Sequence, residues 1–392
     1  MTQRTAALAG LPLLEDLPNL DGARVLVRTD WNVPMEERDG EFVICDDFRI
    51  RASLPTLRYL VERGASVTVC SHLGRPKGAP DPRYSMAPIQ AYMAELMPEV
   101  DVLENVRFHP GEEANDPSFA ATLALGMDAF VNDAFGVSHR RQASVVALPE
   151  LLPAAAGRLV EEEVRVLGGL LHDPAGPFVA IVGGAKVADK LGILASLAGK
   201  VDTLIVGGAM AFTFLAAQGH SVGASLCDPT KLDACKALLA QGVEILLPTD
   251  IVAIEPGGTF GPQCNGRDDG AKVETFGADL PEGWIGLDVG PASVAAFASR
   301  LNDAKTILWN GPVGAFEDHR FAKGTLGVAQ AVAHSEGFSV IGGGDSASAL
   351  TQAGLADDVS FLSTGGGASL EFIEHGDLPG LAALRDAKNA PR

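Results

Sequence analysis

Asp30 and Asn32 lie just past a short β-branched run at residues 25–27, and His72 and Arg75 lie past a second run at 66–70. Arg107 follows a third run at 101–103, Arg140 a fourth at 128–131, and Arg49 opens the helical pattern after the first. In an open parallel sheet, ligands bind outside the carboxyl ends of the strands, so this recurrence collects the polar residues on one edge. Arginine presents a planar fork that takes carboxylate or phosphate oxygens in pairs and holds its charge at any working pH. The chemistry implied is local capture of a small polyanion. Arg58, Arg63, Arg158 and Arg165 read instead as helix-surface charge.

The second half repeats a different device, an apolar strand running into glycines: FVAIVGGAK (178–186), TLIVGGAMA (203–211), FSVIGGGDS (338–346) and VSFLSTGGG (359–367). A single glycine pair is explained by tight strand-to-helix packing. Four in one half point to phosphate, because glycine lets a ligand approach the backbone and the next helix offers unpaired N–H groups. Lys186 and Lys190 follow the first of these turns, and on a helix their spacing puts both amines on one face. The cations are partitioned: fifteen of the 20 arginines lie within residues 1–165 and nine of the ten lysines lie beyond. An anion-binding half facing a nucleotide-binding half accounts for that split.

The elements that must position these groups alternate, strand then helix, which predicts an α/β fold with parallel sheets. Helices are expected near residues 49–63 and 117–125, the latter capped by Asn115 or Asp116 with Pro117 in its first turn. Residues 151–171 read as one long connecting helix ending at Gly168 and Gly169, with Glu161–Glu163 as a solvated face. At 392 residues the chain exceeds one ordinary domain. Its net charge of −20 excludes unspecific binding to nucleic acid or an anionic membrane. Cys45, Cys70, Cys227, Cys235 and Cys264 form no CxxC pair, so neither a disulfide framework nor a zinc site is expected. Without a signal-like start or a long apolar run, a cytoplasmic protein is expected.

The string VLVRTDWNVP (25–34) closely resembles the N-terminal signature of the phosphoglycerate kinase family. SHLGRPKG (71–78), ENVRFHPGE (104–112), VNDAFGVSHR (131–140), GGAKVADK (183–190), LWNGPVGAFE (308–317), GGGDSASA (342–349) and STGGGASLE (363–371) follow in family order. Trp31 departs from the usual Phe or Leu, Thr29 from a smaller residue, and SHRRQAS from AHRAHAS, leaving Arg140 or Arg141 as the substrate-facing arginine, with alignment favouring Arg140.

The resemblance implies two Rossmann-like three-layer domains with parallel sheets joined by a helical hinge. These would be a substrate domain (1–158), a connecting helix (159–172), a nucleotide domain (173–375) and a C-terminal segment (376–392) packing back on the first. It implies that Asp30, Asn32, Arg49, His72, Arg75, Arg107 and Arg140 hold 3-phosphoglycerate or 1,3-bisphosphoglycerate. ADP or ATP would meet Gly184, Ala185, Lys186, Lys190, Gly207, Gly208, Asn310, Gly311, Pro312, Glu317, Gly343, Gly344, Asp345 and Ser346. Asp345 would bind Mg2+, and Arg49, Lys186, Gly344 and Gly367 would act on the transferring phosphoryl group. Direct in-line transfer needs no protein nucleophile, which matches a candidate set of arginines, lysines and amides. The family also implies a monomer that closes about its hinge. Two alternatives stay open on the residues alone: another small-molecule carboxylate kinase, although GxxxxGK[ST] is absent, or a non-catalytic two-lobed binding protein.

Overall fold

The computed structural model describes residues 7–261 and 270–389, so Cys264 lies outside the described residues. The chain divides into two compact units, one of residues up to Gly169 together with those from His375 onward, the other Leu170–Glu374.

The first unit is built on β1 (Arg24–Thr29), β4 (Ser66–Cys70), β5 (Val100–Val102), β6 (Ala129–Asp133) and β7 (Ala154–Ala156), with β2 (Met35–Arg38) and β3 (Glu41–Ile44) as a separate hairpin. The five strands are parallel and ordered β5-β4-β1-β6-β7. The chain therefore builds outward from β1 in one direction, then returns to its other side at β6, creating a crevice where the order reverses. Both faces are covered, so β1 carries an apolar run, VLV, buried throughout. Trp31 is fully buried behind β1 and its indole N–H donates to Ser53 Oγ at 2.9 Å, so the larger ring costs no unmet donor.

Residues 151–171 do not form one helix. Pro153 disfavours helical backbone in the residue before it, and Ala154–Ala156 instead pairs with β6 as a buried edge strand. The helix begins at Arg158 and runs on through both glycines to His172. Asp133, buried at the end of β6, accepts the Leu159 N–H at 2.9 Å and anchors that start. Burial pushes its carboxyl up to about 7. Glu163 also departs from the solvated-face expectation: it is buried beside Val160, Val164 and Leu167 on the i, i+3, i+4, i+7 stripe, while Glu161 and Glu162 pair with Arg158 and Arg165. The helix Pro379–Asn389 packs on the π-helical turn Ala143–Ala147, with the Gly380 N–H donating to Ser138 O at 2.8 Å.

The second unit holds β8 (Phe178–Val182), β9 (Thr203–Val206), β10 (Glu244–Leu246), β14 (Thr306–Asn310), β15 (Phe338–Gly342) and β16 (Phe361–Leu362) in one parallel sheet, ordered β10-β9-β8-β14-β15-β16. A smaller antiparallel sheet contains β11 (Asp250–Ile254), β12 (Val273–Gly277) and β13 (Ile285–Val289). Counted along the large sheet, the strands appear third, second, first, fourth, fifth, sixth, the doubly wound order, with its reversal between β8 and β14. All four glycine turns foreseen in the sequence thus fall at the carboxyl ends of strands in this one sheet.

Candidate active site

In the first unit the groups gather around His72. Its ring is buried, with Nε2 3.8 Å from Asp30 Oδ1 and Nδ1 3.3 Å from Arg28 Nη2. Arg49, from the first turn of the helix Phe48–Val61, pairs with Asp30 Oδ2. Burial, then the charges of Arg28, Arg107, Arg140 and Arg49, hold the His72 imidazole well below its ordinary range. The ring is therefore neutral at physiological pH, and the local field is positive.

Arg107 is 2% exposed. Its Nη1 donates to Gly74 O at 2.8 Å, but Nε and Nη2 are buried with no hydrogen-bond partner. Burial and the charges of Arg140 and Arg28 push its guanidinium down to about 10. The largely exposed Glu113 carboxylate lies 3.9 Å from Nε, beyond hydrogen-bonding distance, and buried donors left unmet beside like charges are unfavourable until an anion arrives. Asp30 Oδ1 is likewise buried without a hydrogen-bond partner. Asn32 accepts the Gly74 N–H on Oδ1 at 2.8 Å and so shapes the loop that carries Arg75. Arg140 is half-buried, its Nε 3.4 Å from His139 Nε2. Arg75 is exposed, forms no hydrogen bond or ion pair among the described residues, and is not among the charges acting on His72.

Sequence reading missed Arg28 and Glu112. Both are fully buried, with Arg28 Nη2 3.8 Å from Glu112 Oε1. The signal was present: an arginine inside the apolar strand VLVRT requires a buried counter-charge.

In the second unit, Lys190 and Asn310 meet at the reversal between β8 and β14. Lys190 Nζ donates to Gly183 O at 2.7 Å and to Asn310 Oδ1 at 2.9 Å. Carbonyls satisfy its hydrogens without balancing its charge, so burial lowers the amine to about 8, with Asp345 opposing the shift. The one-face expectation for the two lysines fails. Residues 186–190 form a loop and turn, and the helix Leu191–Ala198 begins only after Lys190, its N-cap residue. Val187 is buried at 2% exposure, and the chain turns after it with the Lys190 N–H donating to Val187 O at 3.0 Å. Lys186 stays exposed, with no hydrogen bond or ion pair among the described residues.

Lys186 and Lys190 line a cavity of about 350 Å³ with Gly184, Ala185, Asn310, Gly311, Pro312, Gly343, Gly344 and Asp345. A second cavity of about 470 Å³ shares Gly184, Ala185, Pro312 and Asp345, and adds Gly208, Glu317 and an apolar wall including Phe212, Leu226 and Val313. The glycines divide into two kinds. A Cβ on Gly183, Gly208 or Gly311 would come within 3 Å of backbone in a neighbouring turn, so these serve close packing, and Gly207 abuts Val313 in the same way. Gly344 and Gly367 face open space at the starts of the helices Gly344–Ala353 and Gly367–His375. Ser346 is fully buried and its Oγ accepts the Gly311 N–H at 2.7 Å, tying two of these turns together.

Among the described residues no group of three or more His, Cys, Asp or Glu side chains is placed to hold a metal ion, and no helix is long and apolar enough to cross a membrane. Asp345, in the first turn of the helix Gly344–Ala353 and lining the smaller cavity, offers the single carboxylate that suits a Mg2+ ion completing its shell with phosphate and water.

A family model described as phosphoglycerate kinase matches residues 14–102 and 97–376. The chain is 49% identical over 390 residues to the phosphoglycerate kinase of Rubrobacter xylanophilus, covering 93% of this chain and 96% of that protein. It is 49% identical over 406 residues to that of a Parafrankia strain, covering 95% and 99%. Its fold matches the structure of phosphoglycerate kinase from Coxiella burnetii with a TM-score of 0.83 at 38% identity, covering 96% of this chain and 99% of the other. Ordered motifs, paired doubly wound sheets and full-length similarity converge: the chain belongs to the phosphoglycerate kinase family.

Proposed function

We infer that the arginine-lined edge of the first unit binds 3-phosphoglycerate or 1,3-bisphosphoglycerate, and that the paired cavities of the second bind Mg-ADP or Mg-ATP. The observation that carries this reading is that each candidate set falls at the carboxyl ends of a parallel sheet and around the point where its strand order reverses. The family's reaction is reversible phosphoryl transfer from 1,3-bisphosphoglycerate to ADP. The acyl P–O bond breaks, a new P–O bond forms to the terminal oxygen of ADP, and the carboxylate departs with its electron pair.

Asp30 would accept from the glycerate hydroxyl, while Arg49 neutralises the carboxylate end. Arg107, with its two donors lacking hydrogen-bond partners, takes the distal phosphate, assisted by Arg140 and by the exposed Arg75. Lys186, without a partner among the described residues, follows the moving phosphoryl group, and the N–H groups of the helix starts at Gly344 and Gly367 would receive its charge. The apolar cavity suits the adenine ring, and Glu317, on the wall of the same cavity, would accept from a ribose hydroxyl. Asp345 would hold Mg2+, which when bound neutralises charge on the nucleotide phosphates. Exclusion of water during transfer protects the acyl phosphate from hydrolysis. Both candidate sets lie on one chain, which fits a working monomer, and free Cys45 and Cys227 fit a reducing cytoplasm. A coupled assay should show turnover of 3-phosphoglycerate with ATP only when Mg2+ is present, and Asp345→Asn should raise the Mg2+ concentration required. Full activity in excess chelator, or an unchanged Mg2+ requirement in the variant, would contradict the Asp345 assignment.

Lys190 makes nucleotide binding sensitive to alkali. Its folded value of about 8 lies below the ordinary 10.5, so the unfolded chain retains the proton through that window. Folded stability therefore rises with pH between the two values, and is lowest below 8. Anion binding runs the other way, because phosphate requires the ammonium. Calorimetric affinity for Mg-ADP is expected to weaken above pH 8, by up to ~10-fold per unit, and this limb should disappear in Lys190→Arg, which stays charged.

A further inference from the structure

We propose that Arg28, anchored by Glu112 and Ser144, is a positioning residue that fixes the proton of His72 on Nε2, so that a donor faces Asp30 and the substrate. The proposal rests on the reading of His72 as a phosphoglycerate contact. Arg28 is 0% exposed on the central strand β1. A guanidinium has no acceptor, so the approach of Nη2 to His72 Nδ1 at 3.3 Å requires a lone pair on Nδ1. A neutral ring has one proton, which leaves it on Nε2. That nitrogen points at Asp30 Oδ1 across 3.8 Å, too far for a direct hydrogen bond, and Oδ1 is buried without a hydrogen-bond partner. A donor and an acceptor thus face a shared gap.

The guanidinium is itself immobilised. Its Nε donates to Ser144 Oγ at 2.7 Å and its Nη1 donates to Thr29 O. Ser144 in turn donates its hydroxyl to Glu112 Oε1 at 2.6 Å and its backbone N–H to Oε2 at 3.0 Å. Ser144 lies on the π-helical turn, a distortion frequent at functional sites. Glu112 is 0% exposed and reaches neither His72 nor Asp30 in any hydrogen bond, so its influence passes through Arg28.

The test compares Arg28→Met/Glu112→Gln with the wild type. Removing both charges avoids the uncompensated buried charge that either single change leaves. Imidazole nitrogen resonances of His72 should report the Nε2–H form alone in the wild type and a tautomer mixture in the double variant. The KM for 3-phosphoglycerate should rise about tenfold, the loss of one charge-assisted hydrogen bond, with a smaller change in kcat. Ser144→Ala, which keeps the ion pair and disturbs the fold least, should move both readouts in the same direction. A wild-type proton on Nδ1, or variants that keep the Nε2–H form and the wild-type KM, would overturn the proposal. His72→Gln separates the two levels: an unchanged KM there defeats the reading of His72 as a contact, while the nitrogen resonances still decide the tautomer.

Discussion

Lys186→Ala is expected to lower kcat by roughly 10²–10³, the loss that follows removal of one donor aimed at developing charge, while leaving 3-phosphoglycerate affinity in place. The side chain is exposed, lines the cavity of about 350 Å³ and makes no hydrogen bond or ion pair among the described residues. No described residue pairs with it, so its removal should change stability by no more than ~0.5 kcal/mol. Steady-state kinetics together with a thermal melt check both statements. An unchanged kcat would remove Lys186 from the reaction. A large fall in melting temperature would reassign it to the fold.

Arg107→Met is expected to act in opposite directions on function and stability. The KM for 3-phosphoglycerate should rise about 100-fold, since two donors to a charged phosphate are worth roughly 1.5–3 kcal/mol each before compensation. Without ligand, the variant should be more stable by about 1 kcal/mol, because two unmet buried donors beside like charges cost more than the lost bond to Gly74 O and the 3.9 Å ion pair with the largely exposed Glu113 return. Thermal unfolding with and without 3-phosphoglycerate distinguishes this from ordinary core damage, which would lower stability in both conditions.

Much of this arrangement was legible before any coordinates. Short β-branched runs followed by polar residues located β1, β4, β5 and β6, because a strand buried on both faces must be apolar and can place function only beyond its end. The glycine turns were visible for the same reason. Their division of labour was not, since only packing separates Gly208, pressed against backbone, from Gly344, facing open space. Local spacing misled at the two lysines, where an i, i+4 pattern coincided with a loop and turn around the buried Val187. It misled again at residues 154–156, where three alanines favoured a helix but completed a sheet edge. Arg28 and Glu112 lie 84 positions apart in sequence, and no local pattern joins them; their pairing is tertiary.

Hydrogen exchange with each ligand added singly bears most directly on the division of the two units between substrates. With 3-phosphoglycerate alone, protection should rise in residues 28–32, 71–75 and 105–112 and stay unchanged at 183–190 and 343–347. With Mg-ADP alone, the pattern should invert. Protection of the same unit by both ligands, or of neither predicted set, would contradict this account of where each substrate binds.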